Sequence, residues 1–141
     1  MEQGTARAGV VRQVLLAGLT GRATGLAGLF TEDVVGWTPN LTVSCLAEIE
    51  SSFGARDEVL TNVDLDVRSM DAIGDKVIAE WQVAADHTGA LAVDDDRVVE
   101  ATGRRVLLAG VMVAEFRGDR IAVFRTYFDE LALLEQILEG N

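Results

Sequence analysis

At Val63 the spacing of the apolar residues in this chain changes to a period of two. That period of two constrains the fold more than any other feature of the sequence. Val63, Leu65 and Val67 alternate with Asp64, Asp66 and Arg68, and Val77, Ala79, Trp81, Val83 and Ala85 share one face of the next segment. Side chains two apart lie on the same side of a strand, so each run predicts a strand with one apolar face. "IGDK" and "RGDR" each place Gly-Asp between such runs, a hairpin signal. "RRVLLAGVMVAEF" is apolar at both parities, the pattern expected of a central strand covered on both sides. In the last strand, 120–128, Ala122, Phe124, Thr126 and Phe128 form one set, opposite Ile121, Val123, Arg125 and Tyr127.

Before residue 63 the spacing is helical. Val10, Val11, Val14, Leu15 and Leu19 build one apolar helix face, and Leu26, Leu29 and Phe30 a shorter one. "EDVVGW" reads as a strand. After the only proline, Pro39, Ser44 is placed to cap a helix that buries Leu46, Ile49 and Phe53. Helices first, then antiparallel strands, then a short C-terminal helix predict an α+β fold with helices on one side of a curved sheet. The 141 residues fit one domain spanning 1–141, and no repeat or linker divides them.

A net charge of −11 argues against nucleic acid, whose phosphates must be matched by Lys and Arg, and against an anionic membrane surface. Cys45 is the only cysteine, so neither an internal disulfide nor a cysteine-built zinc site is expected. One histidine, His87, gives weak support to any metal site. "VVRQVLLAGL" is interrupted by Arg12 and Gln13 and does not read as a secretion signal, so the expected location is the cytoplasm.

Several strings, taken in order, resemble the NTF2-like superfamily in its SnoaL-like polyketide cyclase and ketosteroid-isomerase-like branch. They are "LAGLFTEDVVGW", "GDKVIAEWQVAADHTG", "TGRRVLLAGVMVAEFRGDRIAVFRTYFD" and "LALLEQI", together covering most of the chain. The resemblance implies a cone-shaped barrel with helices plugging one end, an apolar cavity inside, and a homodimer formed through the outer sheet face. No cofactor is expected. In epoxide-hydrolase-like relatives, the catalytic Asp of the last strand directly precedes the "YFD" string, where this chain has Thr126. Their Arg-x-Asp pair falls on "EWQVA", where this chain has Trp81 and Val83. The trio is missing, so epoxide hydrolysis by that route is not expected. An inner wall free of carboxylates is.

Trp37, Trp81, Met112, Phe124 and Phe128 are the candidates for an apolar ligand wall, and Thr126 adds a hydroxyl able to orient a ligand oxygen. The same side chains would serve equally as plain core. His87 shares the parity of Trp81, Val83 and Ala85, which makes it the candidate proton carrier; its rival reading is a hairpin histidine held by backbone groups. Asp129 precedes a helix and reads as its cap, with Phe128 and Leu133 spaced as a hydrophobic staple. "DDD" at 94–96 reads as a solvated turn, and Cys45 as an inert thiol. The sequence therefore points to a protein that binds an apolar small molecule, either as a cyclase or isomerase moving a proton beside a carbonyl or as a non-catalytic binder. A dimeric interaction module is the third reading.

Overall fold

The computed structural model describes residues 2–20, 25–39, 41–54, 59–92 and 96–138. Asp94 and Asp95 of the acidic turn, and the side chain of Phe53, lie outside the described residues. The chain runs through helix α1 (Glu2–Thr20), strands β1 (Phe30–Thr38) and β2 (Leu41–Val43), and helix α2 (Leu46–Gly54). Strands β3 (Leu60–Ile73), β4 (Lys76–His87), β5 (Leu91–Ala92) and β6 (Val98–Val99) follow. Strands β7 (Arg105–Arg117) and β8 (Arg120–Phe128) lead into helix α3 (Glu130–Leu138). Leu26, Leu29 and Phe30 do not make the short helix face their spacing predicts. Leu26–Gly28 form a single 3-10 turn, and Phe30 already belongs to β1.

Six strands form one curved, open sheet in the order β2-β1-β8-β7-β4-β3, while β5 and β6 form a separate two-stranded ribbon. This is the α+β architecture expected, with one difference. β1 joins β8 in parallel, so the sheet is mixed rather than wholly antiparallel. Both Gly-Asp turns behave as their composition demands. Gly74 and Gly118 adopt φ of 61° and 65° at the first turn position, a conformation that costs glycine little.

Strand parity largely holds. Val77, Ala79, Trp81, Val83, Ala85 and His87 all point inward, and β7 contributes Val106, Leu108, Met112, Ala114 and Phe116 to the same core. Helix α1 packs Val11, Val14 and Leu15 against it. Two expectations need correcting. β7 is central but covered on one side only, because Leu107 on its outer face is 55% exposed. In β8, Ile121 is fully buried rather than outward, because the β7–β8 register shifts between Glu115 and Phe116. A bulge of that kind resets which residues face inward.

Arg7 of α1 locks the helix to the sheet. Its Nη2 donates to the Gly118 carbonyl (2.8 Å) and to Asp75 Oδ1 (3.1 Å), so one side chain holds both Gly-Asp turns. Its guanidinium also lies 5.1 Å from the centre of the Phe116 ring. Near the other end of the sheet, Gln136 of α3 accepts from the Leu107 N–H and donates to the Leu107 carbonyl, both at 2.7 Å. β8 has ended by then, since its last pair is Phe128 with Gly110. The Gln136 amide therefore supplies the ladder bonds that a longer β8 would have made.

Candidate functional site

A recess of about 130 Å³ opens between α1 and the inner face of the sheet. Val14, Leu15 and Leu19 line it from the helix, and Trp81, Leu108 and Met112 from β4 and β7. Phe124, Thr126 and Phe128 line it from β8, Leu91 from β5, and Glu130 and Leu133 from α3. Most of this wall is hydrocarbon or aromatic, and its few polar groups are therefore the ones that set its chemistry.

Two glycines shape the aromatic wall. Gly36 pairs with Phe124 across β1 and β8, and a Cβ on Gly36 would overlap the Phe124 ring. Gly110 pairs with Trp81 across β7 and β4, and a Cβ there would come within 2.5 Å of Trp81 Cζ2. Each large ring lies over the bare backbone of its partner strand. Trp81 also meets Phe128, with ring centres 6.5 Å apart, and Phe124 meets Phe30 at 5.7 Å. Such tilted pairs are a favoured aromatic geometry. Nothing in the alternating pattern marks these glycines; they become informative only once the strand register is known.

The polar groups number few. Trp81 is 2% exposed, and its Nε1–H meets no acceptor among the described residues. Buried donors are nearly always paired, and leaving one unpaired costs roughly 1–3 kcal/mol. The half-buried Thr126 contributes a hydroxyl. Glu130, also half-buried, is the only ionisable side chain on the described lining. It corrects the expectation of a wall free of carboxylates. Nothing in the sequence marks Glu130 beside Asp129, because the first turn of a helix is an ordinary place for an acid.

The structure separates the predicted site residues into those on the recess and those off it. Trp81, Met112, Phe124, Thr126 and Phe128 are on it. Trp37 is not: it is 40% exposed and packs against Tyr127, ring centres 5.2 Å apart, on the outer face of the sheet. Its parity is opposite to that of inward-facing Val34 and Gly36.

His87 points inward as its parity predicts, but it does not line the recess. It is fully buried, and its Nδ1 accepts from the Thr102 backbone N–H (3.2 Å) with the Thr102 hydroxyl 2.9 Å away. An accepting Nδ1 places the proton of the neutral ring on Nε2. Burial pushes the imidazole pKa below its ordinary value, while the backbone of Gly89 opposes this in part. The same residue anchors the excursion that carries β5 and β6: its N–H donates to the Arg104 carbonyl, and its carbonyl accepts from Gly103, both at 2.8 Å. The role of proton carrier toward a ligand in the recess is thus corrected to that of a neutral pin in the fold.

Asp129 is exposed, and its Oδ1 accepts from the Ala132 N–H at 2.9 Å, which makes it the cap of α3. Phe128 and Leu133, flanking the cap, both face the recess. At α2 the capping differs from the expected form. Glu48 Oε1 reaches back to accept from the Ser44 hydroxyl (2.6 Å) and N–H (3.3 Å). Cys45 donates weakly to the same oxygen at 3.6 Å. Among the described residues no group of three His, Cys, Asp or Glu side chains could hold a metal, and no helix is long and apolar enough to cross a membrane.

An open mixed sheet sheltering an apolar recess beneath an N-terminal helix defines the class of NTF2-like α+β proteins. Residues 20–137 match the family model for the SnoaL-like polyketide cyclases, and the chain belongs to that family. Among solved structures, one from Jannaschia sp. CCS1 that carries the SnoaL-like polyketide cyclase name superposes with a TM-score of 0.79. It is 15% identical, over 97% of this chain and 94% of that one. A structure from Acidithiobacillus ferrooxidans that carries the polyketide cyclase name gives 0.78 at 15% identity, with 96% of each chain covered. An LEH-like epoxide hydrolase from M. tuberculosis gives 0.68 at 17% identity, over 96% of this chain and 92% of that one. No curated protein sequence matches.

Proposed function

We propose that the protein binds an apolar small molecule through a hydrogen-bond-accepting oxygen, a carbonyl above all, within the recess. The observation that carries this reading is the buried, unpaired Nε1–H of Trp81, a residue of the mostly apolar wall. A ligand oxygen placed there would satisfy a donor that the protein leaves without a partner. The Thr126 hydroxyl offers a second donor from the neighbouring part of the wall. Cyclase and isomerase chemistry fits the same arrangement, since donors aimed at a carbonyl oxygen stabilise the negative charge that grows there when an adjacent C–H loses its proton. Glu130 supports that second, catalytic reading as the one ionisable group on the described lining able to accept the proton.

The test is a matched pair of ligands, 4-phenylbutan-2-one and butylbenzene, which share an aromatic body and differ in the carbonyl. Calorimetry should show the ketone binding more tightly to the native protein. Trp81→Phe should shrink that preference by about 2- to 10-fold, the worth of one neutral hydrogen bond, while butylbenzene binding changes little. An unchanged preference in Trp81→Phe would reject the assignment of the donor.

The outer face of the sheet leads to a second part of the proposal. Val35, Trp37, Leu107 and Tyr127 are exposed there on β1, β7 and β8. Exposed apolar side chains on one face of a sheet, with Trp37 and Tyr127 in contact, are the kind of surface that a partner covers. We infer that a second copy of the chain covers it, giving a homodimer whose two recesses face away from the shared surface.

A further inference from the structure

The lining of the recess carries a charge of one sign only. Glu130 contributes a carboxylate, and no Lys, Arg or His shares the described wall with it. No hydrogen bond or ion pair joins the Glu130 side chain to any described residue. At the α3 helix end, which might otherwise draw an anion, Asp129 already takes the Ala132 N–H at 2.9 Å. The same wall carries the rings of Trp81, Phe124 and Phe128. Ring faces attract cations, and an ammonium group gains further when its partner carboxylate is shielded from water. A ligand carboxylate in the same space would meet like charge with no Lys, Arg or His on the described wall to offset it. The second polar feature is independent of the first: the buried Trp81 Nε1–H asks for an acceptor, not a donor.

We propose that the recess selects its ligand by charge, taking an apolar molecule that carries a basic amine and excluding the corresponding acid. This rests on the reading that the recess is a ligand site, and it names the chemical class that site admits. The ammonium group would lie against Glu130 and the aromatic rings. Any oxygen the molecule carries would accept from Trp81. Fatty acids and other apolar carboxylates, common occupants of greasy cavities, would be turned away.

Three ligands with one body separate this proposal from the one it rests on: 4-phenylbutylamine, 4-phenylbutan-2-one and 4-phenylbutanoate. Calorimetry at pH 7 on the native protein should give the amine at least about tenfold tighter binding than the acid, equivalent to ~1.4 kcal/mol. In Glu130→Gln the amine and acid should come within about threefold of each other, while an unchanged urea midpoint reports that the protein is still folded. If the ketone binds but the amine holds no advantage, or if its advantage survives in Glu130→Gln, charge selection is overturned and the ligand site stands. If none of the three binds, both are overturned.

Discussion

At the scale of single residues, His87 and Trp81 show how similar burial leads to different roles. His87 was legible as inward-facing because β4 alternates without a break from Val77 to His87. Its partner was not legible. Thr102 lies 15 residues further on, across an excursion with no periodicity to read. Burial lowers the imidazole pKa from 6.5, and protonating Nδ1 would in addition set one N–H against the Thr102 N–H. The unfolded chain then binds more protons than the folded one below that value, and stability falls as pH drops through it. Urea melts should therefore show a loss of stability below about pH 6.5, by at most ~1.4 kcal/mol per pH unit from this group. In His87→Gln that slope should flatten over the same window. A slope unchanged in the variant would assign it to other groups.

Elements are held here by close fits that spacing alone does not announce. Gly36 and Gly110 look like breaks in otherwise good strands, yet each leaves the space that an aromatic ring of the recess wall fills. Gly36→Ala would force Phe124 off its seat, and overpacking of this kind should cost about 1–3 kcal/mol in the urea midpoint and weaken binding of 4-phenylbutan-2-one. The α3 cap makes a contrasting case. Asp129→Ala should cost about 1 kcal/mol of stability and leave ketone affinity unchanged, because the cap touches helix N–H groups rather than the recess. The cap could be read from "FDE" before an apolar helix. The inward turn of Ile121 could not, because one bulge between Glu115 and Phe116 shifts the register without altering the composition of either strand. Gln136 stands between these cases. The "LLEQ" string is part of the family resemblance, and in this chain its Gln136 amide finishes the β7 ladder where β8 stops.

Across the whole molecule, the fold class followed from element order, while the two faces of the sheet were harder to tell apart. β7 is apolar on both sides, and an apolar outer face reads the same whether an internal layer or a separate partner covers it. The proposed dimer makes this testable. Trp37→Arg, aimed at the exposed Trp37–Tyr127 pair, should convert a dimer to a monomer in sedimentation equilibrium while the recess keeps its ketone affinity. A native protein that sediments as a monomer would reject the pairing. The strand order carries a consequence of its own for biosynthesis. β1 emerges early from the ribosome, but its parallel neighbour β8 ends only at Phe128. Until then the nascent chain can join β1 to nothing but the three residues of β2, with Gly36 awaiting the ring that covers it. The sheet should therefore be completed only after β8 has been made, long after β1 itself.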